Sequence, residues 1–483
     1  MFSKRLILLS LLFFTPHLSA ATGEGEIALI DMTGSIFGIL ALVIFVIGYI
    51  FVLGEEFIHL RKSKPIMVAA GLIWLLTGIA YALSGDELTA GLAVRQYILE
   101  YAELFLFLLA AMTFITTMEE RLVFAALRSW LVVQSFSLRK IYWITGLLAF
   151  FISPIADNLS TALLMGAVVL AVGNSYHKFV TVGCINIVIA ANAGGAFSPF
   201  GDITTLMVWQ KGLVQFEDFL LLFFPALITW FIPAFLMNRV IEDGPPSGET
   251  NLLHMKKGAV TIIIIFLFTI ALSVASHSLL HLPPVLSMMT GLGILKLFGF
   301  YISQQAPISQ DQGHIHHYQA ENMQTHEQSK GDHADVIRRF NIFKVVERSS
   351  WDTLMFFYGV VLCVGGLATL GYLTLLSEFM YQGLGATTAN ILVGVASALI
   401  DNIPVMFAVL SMEPDMNVQQ WLLVTLTAGI GGSLLSVGSA AGIALMGQAQ
   451  GVYTFMSHLK WSWAILIGYG SGILTHLYIS GLL

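Results

Sequence analysis

Apolar runs of about twenty residues recur along this chain, and that recurrence constrains its fold more than any other feature. Gly34–Leu53, Ile66–Leu83 and Leu99–Met118 are each about long enough to span the roughly 30 Å hydrocarbon core of a bilayer as a helix. Further runs cover Phe219–Met237, Gly258–Ser276 and Pro283–Phe300, and apolar sequence returns from Trp351 to the end. Only 11% of the residues are charged, against 57% hydrophobic. A soluble domain carries roughly 25% charged residues, and no polar block here is long enough to be one. The expected fold is an all-α integral membrane protein with about ten or eleven transmembrane helices.

The start of the chain reads as a secretory signal. Lys4 and Arg5 precede the apolar stretch Leu6–Phe14, and Leu18-Ser19-Ala20 supplies small residues at a cleavage position. Residue 21 onward then begins on the periplasmic side. With that start, the loops holding Arg61, Lys62 and Lys64, then Arg121, Arg128, Arg139 and Lys140, fall in the cytoplasm. So do Lys178, Arg239, Lys256, Lys257 and Lys460, and outside the signal only Arg95 and Lys211 fall on the far side. Both termini are expected to be periplasmic, with the chain in a bacterial inner membrane.

This topology divides the chain into a signal peptide (1–20), a periplasmic segment with the first transmembrane helix (21–65), and a first repeat (66–240). A cytoplasmic linker (241–257) leads to a second repeat (258–483). The second repeat contains a polar loop, 301–350, with His314, His316, His317, His326 and His333. A metal-binding or pH-sensing tract is one reading of it; its composition favours a solvated connector. Cys184 and Cys363 lie far apart in apolar sequence and suggest neither a disulfide framework nor a metal site. No basic patch with interleaved aromatics points to nucleic acid, and no Gly-x-x-x-x-Gly-Lys-Ser/Thr run points to a nucleotide. The expected surroundings are membrane lipid.

Two short segments resemble one another. Ile155-Ala156-Asp157-Asn158-Leu159 follows Ser153-Pro154, and Leu399-Ile400-Asp401-Asn402-Ile403-Pro404 follows Ser397. Each puts an Asp-Asn pair in apolar sequence, where ionisable groups are costly and mark function. Downstream of each lies a glycine-broken segment, Gly194–Gly201 and Gly431–Gly438, and the two align without gaps at nearly matching spacing. Charge placement has the chain enter the first copy from the cytoplasm and the second from the periplasm, so the repeats are inverted. Inverted repeats with discontinuous helices place transporter sites near mid-membrane. Residues 141–173 and 386–411 are expected to form re-entrant hairpins tipped by the Asp-Asn pairs, and 179–210 and 421–448 to form broken helices. Isolated glycines would be ordinary packing residues; two copies of both features are a site.

At these residues the chain resembles the NhaD-type sodium/proton antiporters of the ion transporter superfamily, which also holds arsenite permeases and dicarboxylate/sodium symporters. The resemblance runs from about residue 30 onward and is most specific over Ser153–Ala162, Ala191–Thr205, Asp401–Pro404 and Gly431–Ser439. It implies an elevator-like scaffold, a homodimer, and exchange of Na⁺ or Li⁺ for H⁺ with no cofactor. Dicarboxylate carriers have a Ser-Asn-Thr version of the motif, whereas Asp precedes each Asn here.

A hard monovalent cation takes oxygen ligands. The candidates for binding Na⁺, Li⁺ or protons are Ser153, Asp157, Asn158, Asn192, Asp202, Thr204 and Thr205 in the first repeat. Ser397, Asp401, Asn402, Ser436 and Ser439 are those of the second. Glu100 and Glu103 are candidates for a proton relay, or are simply solvated near the membrane surface. Burial favours the neutral form of a carboxyl group, so proton and cation would compete for the same oxygens. Two other readings remain: a related carrier of arsenite or a dicarboxylate, and a membrane-embedded enzyme, for which no His-Glu-x-x-His or protease signature is present.

Reporter fusions test the topology. Fusions after Lys62, within 301–350 and after Lys460 are expected to report cytoplasm; fusions near Gly85, near Pro414 and at Leu483, periplasm. Finding Pro414 and Lys330 on the same side breaks the inversion.

Overall fold

The structure, a computed structural model, describes residues 30–58, 60–134, 136–173, 176–241, 244, 252–305 and 351–482. The signal-peptide reading, the segment 21–29 and nearly all of the loop 301–350 lie outside the described residues. Among those described, the regular structure is helical throughout, and nine helices are long and apolar enough to cross a membrane. The chain is an all-α, multi-pass membrane protein.

Three long helices open the chain: α1 (Ile36–Leu53), α2 (Ser63–Leu83) and α3 (Thr89–Glu120). Ser35 caps α1 by accepting the Gly38 N–H, and Pro65 sits in the first turn of α2, where its missing N–H has no helical partner to lose. A short helix, α4 (Val123–Val133), leads into α5 (Leu138–Ala156) and α6 (Asn158–Gly173), which fold back on each other as a hairpin. Next come α7 (His177–Gly195) and α8 (Ile203–Gln210), separated by non-helical backbone, and then α9 (Phe223–Asn238).

The same order recurs from residue 259. Helices α10 (Ala259–Leu280), α11 (Pro284–Gln305) and α12 (Trp351–Thr369) are long, α13 (Tyr372–Ser377) is short, and α14 (Ala386–Leu399) with α15 (Asn402–Met412) makes a second hairpin. Helices α16 (Val418–Gly431) and α17 (Ala440–Gln448) flank a second break, and α18 (Ser462–Ile479) closes the chain.

The helices sort into two bundles. One is built from α1, α2, α3, α10, α11 and α12; the other holds both hairpins, both broken helices, α9 and α18. The bundles meet mainly where α15 packs on α12 and α13. An apolar crevice of about 600 Å³ separates α1 from the second hairpin, lined by Phe45, Tyr49, Leu392, Ile400 and Val405 among others.

Within the second bundle the two repeats match contact for contact. Ser153 donates to the Ala191 carbonyl at 2.6 Å, and Ser397 donates to the Ala428 carbonyl at 2.6 Å. Each bond ties a hairpin to the carbonyl three residues before the Gly-Gly pair at the end of its broken helix, Gly194-Gly195 or Gly431-Gly432. A methyl group on Gly194 would strike the Phe150 backbone, and one on Gly431 the Gly394 backbone. Gly195 and Gly201 face each other as closely as Gly432 and Gly438. The glycines are there so that two backbones can touch.

Overpacking a tight contact typically costs about 1–3 kcal/mol. Gly194→Ala and Gly431→Ala are each expected to lower the thermal midpoint of the purified protein, whereas Gly71→Ala and Gly78→Ala, whose added methyls meet nothing within 4 Å, are expected to leave it unchanged. Differential scanning fluorimetry in one detergent checks all four.

Candidate cation site between the repeats

The first hairpin turns at Asp157, whose φ of +57° breaks the helix. The turn is held by the residue three further on. Ser160 donates its backbone N–H to Asp157 Oδ1 at 2.7 Å and its hydroxyl to Oδ2 at 2.9 Å. Asp157 therefore caps the first turn of α6, satisfying a helix-terminal N–H. At the same offset in the second hairpin stands Pro404, which has no N–H to give. Asp401 makes no capping bond; one oxygen lies 3.2 Å from Lys62 Nζ, and the other, Oδ1, is buried without a hydrogen-bond partner among the described residues. Two aspartates in like sequence thus hold unlike positions.

The polar centre of the bundle is Asp202, only 5% exposed. It is the N-cap of α8, and Oδ1 accepts the Thr204 N–H at 3.1 Å. Asn158 Nδ2 donates to Oδ2 at 3.1 Å, and Asn402 Nδ2 donates to Oδ2 at 3.0 Å and to Oδ1 at 3.3 Å. Both hairpins thus present their Asn to one carboxylate. The dipole of α8 adds partial positive charge at its N-terminus.

Asn192, fully buried, links this centre to the second repeat. Its Oδ1 accepts from Asn158 at 3.1 Å and from the Ser439 hydroxyl at 3.2 Å, and its Nδ2 donates to Ser433 Oγ at 2.8 Å and Ser439 Oγ at 2.9 Å. At the position matching Asn192, the second repeat has Gly429. The space a side chain would fill there borders Asp202 Oδ2 and Thr204 Oγ1.

The sequence-derived candidates divide accordingly. Asn158, Asn192, Asp202, Asn402 and Ser439 form one bonded cluster. Thr204 Oγ1 and Ser436 Oγ are buried without partners among the described residues, so their lone pairs are uncommitted. Thr205 donates to the Ser198 and Asp202 carbonyls at 2.8 and 2.6 Å, and Ser153 and Ser397 bond backbone as above; these three hold the scaffold of the breaks. Asp157 and Asp401 flank the cluster without bonding to it. Glu100 pairs with Lys211 at 2.6 Å, and neither it nor Glu103 hydrogen-bonds to the cluster among the described residues.

Sequence reasoning missed Ser160, Ser433, Gly429 and Lys62. Ser160 and Ser433 lie inside the repeated segments and were legible there. Lys62 carried no signal beyond its charge. The hairpin helices α14 and α15 carry no Lys or Arg, and the cation at the second tip comes from the start of α2.

Known proteins resemble the chain over most of its length. Residues 49–431 match the model of the citrate transporter family, CitMHS. The "Na(+)/H(+) antiporter NhaD" of Alkalimonas amylolytica is 53% identical over 98% of this chain and 96% of its own length. The protein of the same name from Vibrio cholerae serotype O1 is 51% identical over 99% and 98%. "Sodium/proton antiporter 1" of Arabidopsis thaliana is 29% identical over 91% of this chain and 72% of its own.

Removing Asn192 strands polar groups on both sides of the repeat boundary. An unsatisfied buried group costs about 1–3 kcal/mol, so Asn192→Ala is expected to destabilise the protein by at least that much. Ser439→Ala, which leaves Ser433 on Asn192, is expected to cost less. Thermal melts of the two variants in lipid nanodiscs compare them directly.

Proposed function

Since the chain belongs to the citrate transporter family and, within it, groups with the NhaD-type Na⁺/H⁺ antiporters, we propose that it exchanges Na⁺ for H⁺ at the carboxylate cluster between its repeats. One observation carries the site: Asp202 is buried at the junction of both hairpins and, among the described residues, is bonded by amides, a backbone N–H and no basic side chain. An uncompensated buried charge costs several kcal/mol. The carboxyl is therefore stable either protonated or beside a cation, and these are the two cargoes of an exchanger.

In this reading the cation takes its ligands from Asp202 and from the Thr204 and Ser436 hydroxyls and Asp401 Oδ1, which have no hydrogen-bond partner among the described residues. Asn158 and Asn402 orient the Asp202 carboxylate by donating amide hydrogens, and their own carbonyl oxygens remain available. When a proton arrives instead, it sits on a carboxylate oxygen and the sodium ion leaves. Either load lowers the negative charge of the site, and a site so compensated crosses the low-dielectric barrier far more cheaply than a bare one. The bundle holding both hairpins and both broken helices moves as a unit against the other six-helix bundle, in an elevator-like cycle. The proton gradient across a bacterial inner membrane drives it, with both chain termini periplasmic.

A citrate-like cargo fits poorly. A polycarboxylate needs basic partners, and this cluster presents carboxylates, with Lys62 already engaged by Asp401.

Shared-site competition fixes a pH signature. Apparent Na⁺ affinity, read by dequenching of a pH dye in everted vesicles, is expected to tighten as pH rises. The change is up to about tenfold per unit and per coupled proton below the apparent pKa of the cluster. At saturating Na⁺ the dependence fades. Asp202→Asn removes a competing carboxylate, and should weaken the affinity and flatten its pH dependence together. An affinity constant between about pH 7 and pH 9, with only the maximal rate varying, rules out competition at one site.

A further inference from the structure

Among the described residues, the ion pairs Lys62–Asp401 and Lys211–Glu100 join the bundles, and both fix the same relative position. Lys62 stands just before α2 in the outer six-helix bundle, and its Nζ lies 3.2 Å from Asp401 Oδ2 at the tip of the second hairpin. The ammonium also lies 4.3 Å from the centre of the Phe356 ring on α12, a contact that holds a cation in place. Lys62 and Asp401 side chains are 17% and 13% exposed, so solvent screens the pair only in part. The second pair, Lys211 to Glu100 at 2.6 Å, ties the end of α8 to α3.

Helix lengths show what these pairs imply. At 1.5 Å per residue, α2 is roughly 31 Å long and α14 roughly 21 Å. The second hairpin enters from the end opposite Lys62, and its tip together with the lysine side chain spans the length of α2 to the face where Lys62 lies. Glu100 is roughly 16 Å along α3 from its first residue, and Lys211 follows the end of α8 that points to that same starting face. Both contacts therefore belong to a position of the inner bundle shifted toward the cytoplasmic end of α2, and both must break when the bundle travels.

We infer that Lys62 is a tethered counter-cation whose ammonium competes with transported Na⁺ for the Asp401 carboxylate. This rests on the exchange reading above and adds a step to it. In the cytoplasm-facing position the lysine compensates Asp401 and clasps the moving bundle to the frame. A sodium ion loading from the cytoplasm displaces it, so loading and unclasping are one event. In the opposite position Lys62 is out of reach, and Asp401 must take its compensation from a proton or from Na⁺. The clasp thereby opposes travel by a carrier that holds no cargo. The first hairpin has no equivalent, because Ser160 satisfies Asp157 from within its own helix.

The experiment has two arms in everted vesicles. In the wild type, an impermeant amine-acylating reagent is applied with Na⁺ or with choline, and modification of Lys62 is read by mass spectrometry. Modification is expected to rise with Na⁺ and not with choline. In the second arm, Lys62→Gln is expected to tighten apparent Na⁺ affinity by about threefold to tenfold, the scale of a partly exposed ion pair, and Lys62→Arg to keep the wild-type value. Acylation that ignores Na⁺, or an affinity in Lys62→Gln equal to or weaker than wild type, overturns the inference while leaving exchange standing. Should Lys62→Gln fail to reach the membrane, the wild-type acylation arm decides alone. A wild-type protein without Na⁺-driven dequenching overturns the exchange reading itself.

Discussion

Below the membrane surface every polar group must find its partner within the protein, and the inner bundle is organised around that requirement. Breaking a helix at mid-depth frees N–H and C=O groups that lipid cannot satisfy. Each repeat meets the demand in the same way: a hairpin serine donates to a carbonyl of the broken helix, and paired glycines bring the backbones into contact. The polar centre that results is a by-product of the closing of these breaks. Carboxylates and amides are then placed where the backbone has already been opened.

The repeats share a scaffold but divide the chemistry. Ser160 turns Asp157 into a structural cap, and Pro404, having no N–H, leaves Asp401 free for a cation. Asn192 reaches across to Ser433 and Ser439, whereas its counterpart Gly429 leaves room beside Asp202. Asp202 in turn has Ser439 as its counterpart. In each case, one copy supplies the group and the other supplies the space or the hydroxyl that receives it.

Much of this was legible in the sequence because it interrupts a pattern. Asp157-Asn158 and Asp401-Asn402 stand out in apolar sequence, and the glycine clusters repeat at matching spacing, so hairpins and breaks could be placed to within a few residues. Distinguishing Asp157 from Asp401 needed one further step, asking what the residue three positions on can donate; Ser160 and Pro404 answered it in plain view. Lys62 was illegible for a different reason. A lysine at a helix end is what membrane topology requires anyway, and only tertiary packing reveals that this one meets an aspartate more than three hundred positions away. The bonded centre on Asp202, where Asn158, Thr204 and Asn402 of three helices converge, is likewise a product of packing that no local pattern announces.

The replacement of Asp202 by Ser439 in the second repeat also has an electrical meaning. A carboxylate at that position would stand against Asn192, two amides (Asn192 and Asn158) away from Asp202, and the cluster would hold two negative charges needing two positive ones. Keeping a hydroxyl there limits how many charges the cluster demands before it can travel. Under the proposed exchange, this side-chain difference between the halves lowers by one the charge the cluster carries, and with it the leverage of the membrane voltage over the direction of exchange.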